Sequence, residues 1–435
     1  MKPLPIALIL CFLLLPISAY PITLEEGLKI VTESGRDVEI ARSDEAAARG
    51  GVSLARSPWL PSVDLYGRET WLRYQPESKL PFSIPGASSS IPVSQDQFLT
   101  YGVRATQVLY DFGKTTSSVN ASKFGLKART IEIGRQKSIA ALDFIITYLD
   151  LLESEKLLKV ATEEVTRYEA HKKDTEARYN AGVITRNEVL QSDVTLADSR
   201  QRLLTAENLR SLRESKINSL LLKPLNDVVK PEEIKASPAT GLTLDDAWAS
   251  AEANSSRLKE MGMAISAKEE AVRATQAEYL PTFYVSGGYE YQENKYMVHQ
   301  DNWSAIAGVS INLFSGGASS SKTGIARAEL RSLKLSREKL LDGIRLEVKS
   351  AYLDLQSSAQ KIEVTKTAVA QAEENLRLQR LRYKEGVGTT TEVLDAVTLL
   401  TTAESNSWKS LYGFKRAEAT YLNAAVKDLV ALYGK

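Results

Sequence analysis

Cysteine is almost missing from this chain: the 435 residues contain one, Cys11, and it lies inside the first apolar run. Without a second thiol there is no disulfide and no thiolate metal site. Histidine is as scarce. His171 and His299 are far apart and lack metal-ligand spacing, so core or solvated imidazoles are expected and no metal is. The 55 lysines and arginines balance 54 acidic residues, which removes the basic field that nucleic acid or anionic lipid would require. After the leader no stretch reaches about 18 apolar residues, so no transmembrane helix is expected. The sequence also lacks a Ser/His/Asp elbow, a phosphate loop and an HExxH motif, which argues against an enzyme and against a cofactor. Only 14 prolines and 24 glycines interrupt the chain. Ala, Leu, Glu, Lys and Arg dominate elsewhere and favour long helices.

Residues 1–19 read as an export signal: Lys2 gives the positive start, Ile6 to Leu15 the apolar run, Ser18-Ala19 the small-residue exit. Lipidation at Cys11 is not expected, because Leu10 stands where a small residue is wanted.

What is present is a duplication. Residues 174–196, DTEARYNAGVITRNEVLQSDVTL, resemble 378–400, LQRLRYKEGVGTTTEVLDAVTLL. The offset is 204 throughout (178 to 382, 182 to 386, 188 to 392), and Tyr148-Leu149-Asp150-Leu151 recurs at 352–355 with it. Each copy has a helix, a glycine break and a second helix, which is the tip of a helical hairpin. Upstream the offset is 220 (Thr23 to Thr243, Leu60 to Leu280), so the first copy carries an insertion, best placed in the Pro/Ser-rich run 76–96. The expected division is 20–222 for the first repeat, 223–241 for a linker wrapping the outside, and 242–435 for the second repeat. Tips fall near 178–188 and 382–392.

Each repeat opens on a threonine cap with acids in the first turn, TLEE at 23–26 and TLDD at 243–246. One helix is expected from Thr23 to about Ser57 and one from Thr243 to just before Pro281. The period then changes to two. Trp303, Ala305, Ala307, Val309, Ile311 and Leu313 alternate with smaller or polar residues; so do Phe283, Val285, Gly287, Tyr289 and Tyr291. Leu99, Tyr101, Val103, Ala105 and Leu109 form the matching face in the first copy. Strands are therefore expected near 62–75, 98–111, 282–296 and 302–314. Ten or more residues is the length a tilted strand needs to cross a bilayer; soluble hairpins packed on the helices satisfy the same alternation. Tyr66, Trp71, Tyr74, Tyr101, Tyr284, Tyr289 and Trp303 are candidates for interfacial aromatic girdles.

Each hairpin leads into a proline-free helical run, 114–180 and 318–385, which at ~1.5 Å per residue would reach about 100 Å. Leu142, Ile145, Leu149 and Leu152 space as a coiled-coil seam, as do Val393, Val397 and Leu400, and Leu411, Phe414 and Tyr421 further on. Four strands cannot close a barrel, and open edges are not tolerated in lipid, so strands in a membrane would force oligomerisation. Eight strands enclose a filled interior, whereas a conduit needs a wider one.

The ordered set of TLEEGL and TLDDAW, PWLPSVDLYG and EYLPTFYVSGG, VLYDFG and INLFSGG, RYNAGVITRNEVL and RYKEGVGTTTEVLDA resembles the TolC-like outer-membrane efflux protein family over essentially the whole mature chain. The resemblance implies a mainly α fold with a membrane β-barrel. It would be a homotrimer with a twelve-stranded barrel in the bacterial outer membrane and an α-helical periplasmic tunnel. The tunnel would dock an adaptor and an inner-membrane transporter. In the family the tunnel closes near the hairpin tips through polar bonds and acid rings, which maps here to Glu188, Tyr383, Glu392 and Asp395. Glu392 and Asp395 share a helical face, and close carboxylates are expected to raise each other's pKa. Gly182, Val183, Gly386 and Val387 match the adaptor-contacting tip, and Gly388 stands where many relatives carry an arginine that ties this tip to its neighbour; Arg382 or Arg186 could substitute, or the closed gate is looser or wired differently. The competing reading is a soluble periplasmic coiled-coil scaffold or adaptor with non-membrane hairpins. The strands decide between the two, since membrane strands need an uncovered apolar band. The cargo and the pump are not legible.

Overall fold

The computed structural model describes residues 21–82, 86, 89–234 and 241–434. The expected export segment 1–19, with Cys11, and residues 235–240 of the expected linker lie outside the described residues. The chain forms two compact units. One comprises Met1–Glu39, Arg135–Ser255 and Gly343–Lys435; the other comprises Ile40–Gly134 and Ser256–Asp342.

The first copy runs β1 (Pro21–Ile22), α1 (Leu24–Ser34), α2 (Arg36–Arg56), β2 (Ser62–Trp71), β3 (Glu77–Lys79), β4 (Ser90–Pro92), β5 (Gln97–Tyr110), α3 (Lys114–Asn180) and α4 (Arg186–Leu220). After β6 (Lys230–Pro231) the second copy runs α5 (Leu244–Asn254), α6 (Ser256–Ala277), β7 (Thr282–Gln292), β8 (Asp301–Ser310), α7 (Ala318–Lys384) and α8 (Thr390–Ala424), and α9 (Leu429–Tyr433) ends the chain.

The threonines at the two openings act as caps: Thr23 Oγ1 accepts from Glu26 N–H and Thr243 Oγ1 from Asp246 N–H, both at 3.2 Å. The helices that follow are not continuous, which corrects the expectation of single helices to Ser57 and to Pro281. Gly35 (φ −58°, ψ 142°) and Ser255 (φ −52°, ψ 117°) leave the helical region and divide α1 from α2 and α5 from α6. The two breaks stand at matching positions, 35 and 255. A Cβ on Gly35 would collide with the Val31 carbonyl.

In the helical unit two cores form. Leu28, Phe144, Ile145, Tyr148, Leu149, Leu151 and Ile217 are fully buried in the first. A Cβ at Gly27 would run into the Phe144 ring, so α1 approaches α3 as closely as it does because it carries glycine there. The Tyr148 hydroxyl donates to the carbonyls of Ile22 (3.1 Å) and Glu232 (2.8 Å). It thus ties down the short parallel pair β1–β6. The segment after α4 is pinned as well: Asn218 Nδ2 donates to Leu225 O and Asp227 O, and Glu214 accepts from Val229 N–H at 2.6 Å. The second core joins Val165, Tyr168, Leu196, Leu376 and Tyr383 to Val393, Leu394, Val397 and Leu400. In the distal seam Tyr412 is buried where Leu411 was expected, and Leu411 and Phe414 are only half-buried.

The other unit holds one antiparallel sheet in the order β2-β5-β7-β8. The central pair, β5 and β7, joins the two copies. The 76–96 insertion forms the small hairpin β3–β4. Register decides which side chains share a face. Leu65, Val103, Tyr289 and Trp303 stand in one row, with Val63, Ala105, Gly287 and Ala305 beside it. The opposite face carries Asp64 and Arg104, then Tyr66, Gly102 and Glu290, then Arg68, Thr100 and Gln292. One face is thus apolar and the other polar. The apolar face is uncovered, with Leu65 81% and Trp303 77% exposed, and Asp64, Arg68 and Arg104 on the polar face are exposed too. Two residues expected in the aromatic girdle are corrected. Tyr66 and Tyr284 lie on the polar face, where Tyr66 donates to Glu290 at 2.6 Å and the Tyr284 ring fills the space left by Gly308. Leu109 is the extra residue at a register shift between Val108 and Tyr110.

Replacing Tyr148 by Phe should remove both carbonyl contacts and cost about 1–3 kcal/mol at roughly 1 kcal/mol per bond. A urea titration followed by far-UV circular dichroism would show it as a lower midpoint with unchanged slope.

Candidate functional site

Both hairpin tips lie in the helical unit and use the same local chemistry. Gly182 (φ 73°) and Gly386 (φ 78°) take the left-handed conformation that ends α3 and α7. Val183 N–H reaches back to Arg178 O and Val387 N–H to Arg382 O, each at 3.0 Å. The side chains of Val183 and Val387 project outward, 64% and 69% exposed. Thr185 and Thr389 then start α4 and α8 with capping boxes whose third-position acids are Glu188 and Glu392.

The two acids have diverged. Glu188 Oε1 accepts from its own cap, Thr185 N–H, at 3.4 Å, while Oε2 reaches across to accept from the Thr390 hydroxyl at 2.8 Å. The same hydroxyl lies 3.4 Å from the Tyr383 hydroxyl, which is 3.5 Å from Thr175 Oγ1. Gln191 and Thr391 exchange a hydrogen bond alongside, at 3.1 Å. Glu188, Tyr383 and Thr390 therefore form one polar bridge between the tips. Tyr383 is its centre: it is 5% exposed, with the Arg178 guanidinium 4.4 Å from its ring centroid and the His171 ring at 5.1 Å.

Glu392 does not join this bridge. It accepts from Thr389 N–H at 2.8 Å and pairs with Arg382 at 3.5 Å. The Thr389 N–H, with Arg382 assisting, holds its carboxyl below the usual carboxylate range. Within one chain this is opposite to the expected mutual raising. The capping contribution is therefore fully present above the ordinary carboxylate pKa and is lost as pH falls through the lowered one. Asp395, one turn on, is exposed. Arg382 thus pairs with an acid of its own tip, and this contact does not join the two tips. Gly388 itself has no room for a side chain, since a Cβ there would sit 2.9 Å from Tyr383 N.

Between the tips lies a cleft of about 410 Å³, lined by Arg178, Val183, Glu188, Gln191, Tyr383 and Thr390 among others. Below it, Arg167 makes a two-pronged ion pair with Glu404 (2.7 and 2.8 Å) that joins α3 to α8. Sequence reading missed Thr175, Arg178, Thr390 and His171 as members of this assembly. The signal was present: Tyr168, His171, Thr175 and Arg178 are spaced 3, 4 and 3 along α3 and so share one face.

A profile of the Outer membrane efflux protein family matches residues 28–221 and 248–424. The outer membrane efflux protein BepC of Brucella suis is 21% identical over 303 residues, covering 68% of this chain. The chain spans 65% of the length of that curated relative. Among solved structures, the outer-membrane channel OprN superposes with a TM-score of 0.77 at 16% identity, covering 94% of this chain and 90% of its own. VceC, an outer membrane protein of Vibrio cholerae, gives 0.75 at 18% identity, covering 93% and 96%.

Glu188 and Thr390 should be energetically coupled. A double-mutant cycle with Glu188→Gln and Thr390→Val is expected to return a coupling of about 0.5–3 kcal/mol, read from thermal or urea unfolding. Simple additivity would show that the 2.8 Å contact carries no weight.

Proposed function

This chain belongs to the outer membrane efflux protein family and has the fold of its channels, and on that premise we propose that it is an export conduit closed at its hairpin tips. The sheet unit would stand in the outer membrane and the helical hairpins in the periplasm. The observation that carries the reading is the uncovered apolar face of the sheet. A soluble hairpin pair buries its apolar face and wets its polar one. Here Val63, Leu65, Val103, Trp303 and Val309 of the apolar face are exposed, and Tyr289 beside them is half-buried. The β2, β5, β7 and β8 strands have 10, 14, 11 and 10 residues, enough to cross a hydrocarbon layer when tilted. The polar face carries Asp64, Tyr66, Arg68, Arg104 and Glu290, the type of surface that lines water.

Three copies would supply twelve strands and a lumen wide enough for solutes, whereas two would enclose a filled barrel. In such a trimer Glu392 and Asp395 would recur three times as an acidic ring attractive to cations. The bridge Tyr383–Thr390–Glu188 would hold each protomer's tips closed. Val183 and Val387, flanking the left-handed glycines, would present the contact to a periplasmic adaptor and, through it, to an inner-membrane transporter. These roles would need no bond-making chemistry.

The test is single-channel recording of the purified, detergent-extracted protein alongside its mass. A trimer with small, cation-selective openings is expected; a water-soluble protein without conductance would sink the conduit and favour a scaffold. Glu392→Ala with Asp395→Ala should weaken block by divalent cations without altering trimer mass, and unchanged block would remove both acids from the gate. Gly386→Glu should leave membrane insertion intact and abolish export, because a charged β-carbon residue is strained at φ 78° and alters the docking tip.

A further inference from the structure

His171 is a buried titratable group for which the conduit reading has no use. Its side chain lies on α3 one turn below Thr175, is 5% exposed, and its Nε2 is buried without a hydrogen-bond partner among the described residues. Its ring packs on Tyr383 of α7, centroid to centroid 5.1 Å. Thr175 Oγ1 donates to the His171 carbonyl at 2.9 Å and stands 3.5 Å from both the Tyr383 hydroxyl and Ser192 Oγ. The imidazole therefore supports, from beneath, the residue on which the polar bridge between the tips is centred.

We propose that His171 is a proton-operated latch: neutral, it packs under Tyr383 and lets the tips close; protonated, it cannot stay buried there, and the bridge above it opens. The inference rests on reading the tips as a gate. The charged and titratable groups facing the imidazole are Asp174 and Arg178 on its own helix, Arg380 and Tyr383 on α7, and Glu188 on α4. The two carboxylates favour a proton on the ring and the two arginines oppose it. Burial, the largest effect, acts with the arginines and outweighs the carboxylates, pushing His171 from 6.5 down to about 4.

The sign follows. The closed arrangement binds the proton more weakly than an exposed imidazole does. His171 therefore favours closure fully above about pH 6.5 and progressively less as pH falls toward 4. Between pH 7.5 and 5.0 these values shift the ratio of closed to open tips by about 30-fold per chain. The acids of the tip titrate in a neighbouring range, so a variant must isolate the imidazole. His171→Gln keeps polarity and approximate size but takes no proton.

Open probability of the full-length channel is measured from pH 7.5 to 5.0 for the wild type and His171→Gln. Each protein carries ¹³C-labelled histidine in a parallel NMR titration. With two histidines in the chain, the signal missing in the variant is His171. The expected result is an acid-driven rise in wild-type openings, mostly abolished in the variant, with a His171 midpoint well below 6.5. Equal acid opening in the variant, or a His171 midpoint near 6.5, overturns the latch and leaves the gate standing. A channel already open at pH 7.5 in both proteins overturns the gate reading and the latch with it.

Discussion

An unpaired strand edge in hydrocarbon leaves a row of backbone N–H and C=O groups with nothing to bond, at several kcal/mol per group. That constraint governs the whole sheet unit. The chain pairs β5 with β7 and so joins its two repeats, but this sets β2 and β8 at the outside as edges. No rearrangement within four strands removes both edges. In a membrane, a sheet with two free edges would be complete only as a sector of a ring, and β8 of one copy meeting β2 of the next would be the head-to-tail contact that closes one. Glycines on the polar face fit the same geometry. Cβ atoms at Gly102 and Gly288 would strike the neighbouring strand, and Gly308 leaves room for the Tyr284 ring. Glycine thus lets the strands and the Tyr284 ring pack closely on the face that would look inward.

Duplication accounts for the economy of the rest. The same devices occur at matching positions: threonine caps at 23 and 243, single extended residues at 35 and 255, capping boxes at 185–188 and 389–392, and non-glycine left-handed residues at Leu222 and Val426. Local chemistry has been copied, and specialisation has come through partners. Glu188 and Glu392 occupy equivalent positions in their boxes. One reaches the other tip and the other is held by its own cap and Arg382. Identical helix starts therefore produce one bridging and one self-contained carboxylate.

What the sequence displays and what it conceals divide along a physical line. Period-two alternation, capping residues and the glycine tips are encoded by neighbours in the chain, and the strands, helix starts and hairpins are visible there. The breaks at Gly35 and Ser255 were not, because one extended residue leaves the apolar period on either side intact. Tyr66 and Tyr284 read as girdle aromatics because side-chain type does not reveal the face; only the register against β5 and β8 does. Thr390 was overlooked for a related reason. A hydroxyl beside a cap looks like helix-start chemistry, and its bond to Glu188 spans 202 positions of sequence.

If the tips are the proposed gate, they would show how a contact that must open differs from one that must hold. Beneath them, Val393, Val397 and Leu400 pack into a continuous apolar core, and separating such a surface from itself costs about 25 cal/mol per Å². Above Tyr383 the composition changes to threonine, glutamine, serine and glutamate joined by single hydrogen bonds at 2.8–3.5 Å. Each is worth about 1 kcal/mol net because water can replace it when the groups separate. On the proposed gate reading, a closure built this way would be specific in geometry and cheap to reverse. Tyr383 stands at the boundary, its ring in the apolar core and its hydroxyl in the polar bridge. On the latch proposal, a charge appearing beneath that ring would act at a point where the polar bridge rests on the apolar core.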